Sequence, residues 1–322
     1  MLPIPEAARS LCRITPLVQT STLGCYLKLE SMQRTASCML RGAAVKLSRL
    51  AAVDRTAGVV AASPGNHGLG LSCAGRTFGI PVRIVVPDNA PRCKREGISG
   101  FGGELIRHGS GLVEAEKMGR RLAALRDALY VSAAEDAEVI EGNGGWLGRE
   151  LFEQLPGLRR VVVPMGDGGL AAGLANELCA EGIEIIGVQP EVHPAMVESL
   201  RQNRALTEFQ GQRTICEELE GGVGWRSFGV VRRLVPQIAQ VSEIEVIEAV
   251  AFAFQRLGLV MEASAATVVA AVCAGKVQVD EHTVLVITGG NIDGEFLQRC
   301  LSAARRLPAE SSLSMSRAAG RG

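Results

Sequence analysis

The sequence predicts an α/β protein of two lobes, with parallel-sheet cores and flanking helices. Short apolar runs rich in Val and Ile, without polar alternation, are typical of strands buried on both faces of a parallel sheet. Such runs occupy 58–62, 82–86, 103–107, 160–164, 183–188 and 283–287. Ala-rich helical patterns alternate with them at 66–78, 110–127, 168–181, 243–258 and 263–275. This alternation favours right-handed strand–helix–strand crossovers.

The strand and helix patterns fall into two groups, of which the second begins at about residue 159. We therefore expect a small α/β lobe over residues 56–139. The large lobe is expected to combine residues 1–55 with residues 140–308, and a cleft should separate the two lobes. The tail 309–322 is small, polar and basic, and we expect it to be disordered.

Composition limits the classes of partner. The 322 residues carry 34 basic and 34 acidic side chains, so the formal net charge is zero. Nucleic acids and anionic membranes favour basic surfaces, so neither is expected as a partner. No apolar run reaches the length of a membrane span. Nine cysteines without CxxC spacing indicate reduced thiols and a cytoplasmic location.

The stretch "SPGNHGLG" (63–70) follows one predicted strand and opens a helix. Gly65 permits a tight turn. Asn66 and His67 lie at the helix start, where side chains and free backbone amides can face a ligand. An ordinary helix cap remains the alternative interpretation of this stretch.

The stretch "VPMGDGGLAAG" (163–173) predicts a phosphate cradle at the next strand end. Gly166, Gly168 and Gly169 let backbone amides turn towards an anion, and the helix dipole adds to the attraction. A close strand-to-helix turn is the alternative. Asp167 is unexpected here, because a carboxylate about 5 Å from a phosphate costs roughly 3 kcal/mol at an effective dielectric near 20. Its carboxylate could avoid that cost by pointing to solvent.

The stretch "TGGNIDGEF" (288–296) again joins a strand to a helix. Thr288 lies at the carboxyl end of a strand, where α/β proteins place ligand contacts. An ordinary turn capped by Asn and Asp is the alternative.

Taken in order, these motifs resemble the fold-type-II family of pyridoxal 5′-phosphate (PLP) enzymes, and within it the serine/threonine dehydratases and serine racemases. The resemblance covers nearly all of residues 12–305 and implies a two-lobed, tryptophan-synthase-β-like fold. The matching segments are 15–17, 26–43, 63–70, 79–109, 136–145, 186–191, 214–223, 241–250 and 260–266.

The resemblance also implies roles for individual residues. Three glycines would hold the cofactor phosphate, Asn66 would bond the 3′-oxygen, and Thr288 would face the pyridine nitrogen. The implied cofactor-binding positions are Asn66, Gly166, Asp167, Gly168, Gly169 and Thr288, and the implied substrate-binding positions are Ser63, Gly65 and His67. No metal ligands are expected.

Met39 is the decisive departure from the family pattern. In the family, a lysine at this position forms a Schiff base with PLP and moves the substrate's α-proton. A thioether has no nucleophilic amine and takes no proton near neutral pH. Lys28, Lys46 and Lys94 match family positions that are not catalytic. Cys38 points about 100° away from Met39 on a helix, and we interpret it as a buried thiol.

Two further positions differ from the family. Racemases carry a second catalytic serine where this chain has Pro64, so racemisation would lack a base. Glu217 replaces a common family aspartate in a segment that binds a cation in some relatives, and we interpret it as a charged surface residue.

Two functions therefore remain open. The first is a repurposed or catalytically silent dehydratase homologue that binds a small amino-acid-like or anionic ligand. The second is an active lyase on a hydroxy-amino acid that holds PLP non-covalently, with His67 or water as base. The orientation of Asp167 discriminates between them, because a carboxylate turned into the cradle disfavours PLP. By resemblance, a homodimer is expected.

Overall fold

The computed structural model describes residues 3–304. The predicted tail 309–322 lies outside this part of the chain. The strands are β1 (Leu17–Thr20), β2 (Cys25–Leu29), β3 (Val59–Ala62), β4 (Val82–Val86), β5 (Glu104–Arg107), β6 (Leu129–Tyr130), β7 (Arg160–Pro164), β8 (Glu184–Pro190), β9 (Gln237–Val241) and β10 (Thr283–Ile287).

The helices occupy the connections between these strands. They are α1 (Glu6–Leu11), α2 (Met39–Ser48), α3 (Ala52–Ala57), α4 (Asn66–Phe78), α5 (Arg92–Gly100), α6 (Leu112–Leu125), α7 (Ala137–Ile140), α8 (Leu147–Gln154), α9 (Gly169–Leu178), α10 (Ala195–Arg201), α11 (Trp225–Leu234), α12 (Glu243–Phe252), α13 (Ala263–Cys273) and α14 (Gly294–Ala304). Short 3-10 turns lie at Glu30–Met32, Cys179–Glu181 and Glu217–Leu219, and π-helical turns at Glu141–Trp146 and Ala253–Leu257.

Two sheets organise the described chain. The larger has the strand order β1-β2-β10-β7-β8-β9, and the smaller has the order β5-β4-β3-β6. Every pairing is parallel except that of β1 with β2. The predicted α/β architecture with parallel-sheet cores is confirmed. The lobe boundaries at 56 and 139 stay a prediction, although the smaller sheet takes all its strands from the stretch between them.

Four strands were missed by the sequence patterns. β2 carries Lys28 between leucines, and two of the five residues of β9 ("QIAQV") are glutamines. β1 is an antiparallel strand at the sheet edge with exposed positions, and β6 has only two residues. Each lacks the continuous apolar run that marks a fully buried parallel strand.

The apolar core explains the strands that were predicted. All five residues of β10 are buried, and α13 packs behind the same sheet with its Ala- and Val-rich surface. The smaller sheet has its own core, in which Ile84 of β4 contacts apolar side chains of α4 and α5. No helix among residues 3–304 has the length and hydropathy needed to cross a membrane.

A buried ionic network lies behind α2. Arg41 is fully buried and donates to Glu30 and Glu150, with 2.8 Å from its Nη1 to the Glu150 carboxylate. Lys28 donates to the other oxygen of Glu150. These charges are costly to bury and persist only because they are paired. The network therefore fixes α2, whose first residue is Met39, against β2 and α8.

We expect Arg41→Met to lower the free energy of unfolding by about 3–5 kcal/mol, because it leaves two buried carboxylates without their guanidinium. Urea denaturation measures this. Arg201→Met is the matched control, since Arg201 is 71% exposed in its pair with Glu198 and exposed ion pairs contribute little to stability. Equal effects of the two substitutions would contradict a structural role for the buried network.

Candidate functional site

A cavity of about 320 Å³ lies between segments associated with the two sheets. Ser63, Pro64 and His67 line it from the start of α4, and Met39 and Asp167 line it from the opposite side. A smaller void of about 40 Å³ adjoins it and shares Met39 and Asp167.

The predicted site residues converge on these two spaces. The smaller void is lined by Met39, Asn66, Gly166, Asp167, Gly168 and Thr288. Gly65 and Gly169 are the residues directly before Asn66 and after Gly168. The strand ends of β3, β7 and β10 thus meet at one place, as expected for the carboxyl edges of parallel strands. The roles inferred by resemblance stay predictions.

Met39 begins α2 and is partly buried. Its Sδ lies 3.2 Å from Nδ2 of Asn143, whose Oδ1 accepts a hydrogen bond from the backbone N–H of Gly42 at 2.8 Å. The thioether is therefore held by its neighbours and faces the cleft. Cys38 is completely buried, and burial raises the pKa of its thiol well above the ordinary value, which agrees with its interpretation as an inert thiol.

The predicted phosphate cradle holds a carboxylate of the chain itself. Oδ1 of Asp167 accepts a hydrogen bond of 2.8 Å from the backbone N–H of Gly169, the first residue of α9. Gly168 has φ +89°, a left-handed conformation that favours glycine. Asp167 is therefore turned into the cradle, and the option that it points to solvent is wrong. The helix dipole favours a negative group at this position.

At the start of α4, backbone amides also donate to side chains of the protein itself. The backbone N–H of Asn66 donates to Oε1 of Glu218 at 2.9 Å, and the N–H of Gly65 donates to Oγ of Ser63 at 2.9 Å. The Asn66 side chain donates to Oε1 of Glu262 at 2.6 Å. The amides of the predicted substrate loop are thus already bonded within the protein.

Sequence reasoning missed the group that lies at the centre of the site. Nζ of the fully buried Lys94 lies 2.6 Å from Glu217, 2.7 Å from Glu218 and 2.7 Å from Glu262. Burial alone would lower the pKa of Lys94, but the three carboxylates outweigh it and raise the pKa well above its ordinary value. The amine is therefore protonated and is not a nucleophile.

This cluster bears on two expectations: that Glu217 is a charged surface residue and that the chain has no metal ligands. Glu217 is not a solvated surface residue, because its carboxylate binds Lys94 and only 21% of its side chain is exposed. The carboxylates of Glu217, Glu218 and Glu262 lie within 4.8 Å of one another, which is a spacing suited to a metal ion. The Lys94 ammonium already supplies the positive charge among them. No local pattern could reveal this cluster, because Lys94 precedes its partners by more than a hundred residues.

All lysines of this protein are accounted for. The sequence contains five, and each one forms an ion pair with at least one carboxylate in the structure. Lys117 is the most exposed of those near the cleft, and its Nζ lies 2.9 Å from Glu208. An unpaired amine beside Met39 is therefore absent from the described chain.

A family model described as "Pyridoxal-phosphate dependent enzyme" matches residues 9–289. The chain belongs to this family. An L-threonine ammonia-lyase from Thermotoga maritima is 35% identical over 311 residues, covering 93% of this chain and 77% of that protein. The catabolic L-threonine dehydratase TdcB of Staphylococcus aureus is 34% identical over 307 residues, covering 90% of this chain and 88% of that protein.

Solved structures agree with this assignment. The processed form of threonine deaminase isoform 2 from Solanum lycopersicum has a TM-score of 0.84 at 27% identity, covering 92% of this chain and 90% of that chain. Maize serine racemase has a TM-score of 0.84 at 25% identity, covering 92% of this chain and 94% of that chain. The predicted membership of the fold-type-II PLP family, with dehydratase and racemase neighbours, is confirmed.

Two features of the site bear on the family's cofactor. The backbone N–H of Gly169 is already bonded to Asp167, and a thioether, that of Met39, lines the smaller void. The void of about 40 Å³ between these groups has room for about three water molecules, whereas ligand pockets usually measure about 300–1,000 Å³.

Glu116 lines the larger cavity, and burial raises the pKa of its carboxyl from 4.5 to about 7. Arg120 opposes the shift and Asp167 adds to it. A carboxyl whose pKa is higher in the folded state binds its proton more tightly there. Between pH 4.5 and 7 the folded protein keeps a proton that the unfolded chain has released, so stability falls as pH rises through this window.

We therefore expect Glu116→Gln to stabilise the protein at pH 8 and to have little effect at pH 5. Melting temperatures of both proteins at the two pH values measure this. Glu153→Gln is the control, because Glu153 is exposed and lies outside the cavity. A stabilisation by Glu116→Gln that is the same at pH 5 and pH 8 would contradict the raised pKa.

Proposed function

We propose that this chain is a threonine-dehydratase-like protein that has lost the family's chemistry, with Met39 at the position of the catalytic lysine. The cleft would instead bind a small ligand that carries an amino group, as amino acids do. The observation that carries this proposal is that all five lysine ammonium groups are paired with carboxylates, while a thioether faces the cleft at the start of α2.

The site chemistry supports a silent protein in two ways. The dehydratase reaction needs an amine that acts as covalent anchor and as general base, and a thioether does neither. Asp167 accepts the Gly169 N–H of the proposed phosphate cradle, and a carboxylate there would repel a phosphate. Loss of the lysine is thus accompanied by a change in the cradle.

A second candidate is a lyase that uses another base, and one observation favours it. His67 lines the same cavity as Met39, and its Nδ1 has no hydrogen-bond partner among residues 3–304. Burial lowers the pKa of His67, so the ring is neutral and able to accept a proton. Under this candidate, PLP would be held without a covalent bond.

We also propose that the protein is a homodimer located in the cytoplasm. Support for a dimer comes from exposed apolar side chains near the edge strand β1: Ile14 is 79% exposed and Met32 is 48% exposed. The two lie close together, because the Arg13 side chain donates to the backbone oxygen of Met32. Nine unpaired cysteines support a reducing compartment. Sedimentation equilibrium decides between monomer and dimer.

We expect the purified protein to be colourless and to show no absorbance change characteristic of a covalent PLP adduct. Borohydride treatment after incubation with PLP should leave the intact mass unchanged, because every lysine Nζ is paired with a carboxylate. Assays with serine and threonine should detect no pyruvate or 2-oxobutyrate. A mass-shifted adduct on one defined lysine, or rapid keto-acid formation, would overturn the silent assignment and favour the lyase.

We expect Met39→Lys alone to leave PLP capture weak, since Asp167 still occupies the Gly169 N–H. The double variant Met39→Lys with Asp167→Gly should capture PLP at least tenfold more tightly than the single variant. Absorbance titration with PLP measures both, and Met39→Leu is the control without an amine. Full capture by Met39→Lys alone would show that the cradle is intact and that only the lysine is missing.

A further inference from the structure

The charges at the cavity rim cancel, whereas those inside do not. Lys117 pairs with Glu208 at 2.9 Å and Arg120 lies 3.8 Å from Glu135, and these four side chains are mostly exposed or at the rim. They contribute two positive and two negative charges. The remaining acidic side chains of the lining therefore decide the sign of the cavity.

Four further carboxylates line the cavity: those of Glu116, Asp167, Glu218 and Glu220. Glu218 shares the single ammonium of Lys94 with two other glutamates. Among the described residues, the other three have no ion-pair partner within 4.0 Å. The interior of the cleft thus holds more carboxyl groups than cationic groups.

Carboxylates of the protein also lie at the places where an anion would bind. Two helix starts face the cleft, and one backbone amide of each donates to Asp167 or to Glu218. A carboxylate or phosphate ligand at either helix start would meet these carboxylates at close range. An anionic ligand is therefore disfavoured.

His67 gives an independent indication of what the cavity accepts. It is only 4% exposed, it lines the cavity, and its Nε2 lies 3.2 Å from the backbone oxygen of Val131. A carbonyl oxygen only accepts, so Nε2 carries the proton and Nδ1 presents a bare lone pair. Nδ1 has no partner among residues 3–304. A buried acceptor without a donor is costly, and a ligand that donates N–H would satisfy it.

We infer that the cleft binds a small aliphatic amine or diamine, whose ammonium groups enter among Glu116, Asp167 and Glu220 near His67. This inference rests on the proposed function and specifies its ligand. A lyase that bound PLP in the cleft would fill the space that the amine needs. A volume of about 320 Å³ lies at the small end of the range for ligand sites, about 300–1,000 Å³. It is enough for a four- or five-carbon chain.

An ammonium group also relieves the crowding of the acidic side chains. Burial raises the pKa of Asp167 and of Glu220, as it does for Glu116. A bound cation favours the ionised form of each carboxyl, so binding near neutral pH should release protons into the buffer. Proton release can be measured on the unmodified protein, so this observation needs no variant.

The test is isothermal titration calorimetry of the full chain with three probes of the same carbon length: 1,4-diaminobutane, 1,4-butanediol and succinate. We expect heat of binding with the diamine only. Repeating the titration in two buffers of different ionisation enthalpy should reveal proton release. Absence of diamine binding at millimolar concentration, or tighter binding of succinate, would overturn the inference.

Variants locate the binding site. Glu116→Gln and Asp167→Asn should each weaken diamine binding at least tenfold, and Glu153→Gln should leave it unchanged because its charge lies outside the cavity. Melting temperatures confirm that the variants are folded, and if one is not, proton release by the unmodified chain still decides. Diamine binding that neither cavity variant weakens would overturn the inference.

A separate sample incubated with PLP distinguishes the two proposals. Covalent capture of PLP would overturn the proposed function, whether or not the protein binds the diamine. A protein that stays colourless and ignores the diamine supports the proposed function and overturns this inference alone.

Discussion

The buried ammonium of Lys94 is the constraint on which the cleft depends. It lies on α5, which packs on the smaller sheet, whereas its partners Glu217, Glu218 and Glu262 belong to segments around the larger sheet. A Cβ on Gly65 would come within 2.1 Å of the Lys94 side chain, so the loop before α4 follows the lysine closely. Because buried ion pairs are weak contributors to net stability, this cluster acts mainly by specifying one arrangement of the cleft.

The same cluster decides the electrostatics of the site. Glu218 bonds both Lys94 and the start of α4, and Asp167 bonds the start of α9. In each case a side chain of the protein takes the place that an anion would take at a helix N-terminus. The fold of the PLP-dependent enzymes is thus combined here with a cleft rich in carboxyl groups, and function is decided by such site residues and not by the fold.

Behind the site, the backbone is held by contacts that involve neither Met39 nor Asp167. The buried network of Arg41, Glu30 and Glu150 anchors α2, and the apolar strands β7 and β10 pair in parallel beneath the cradle. A methionine at the start of α2 disturbs neither. Met39 is therefore compatible with 35% identity to an L-threonine ammonia-lyase along most of the chain.

The sequence by itself determined the fold class, and it predicted the location of the site. Strands 82–86 and 283–287 and helix 66–78 agree with the structure to the residue, because uniform apolar runs and strong turn signals leave one interpretation. The sequence also predicted that Met39 and Asp167 depart from the family pattern, since each interrupts a recognisable motif. Only the tertiary structure decided that Asp167 turns onto the Gly169 amide and that Lys94 lies among three glutamates. The first is a local contact whose direction is set by the conformation of the loop. The second depends on contacts between residues 123 to 168 positions apart, which no local pattern encodes.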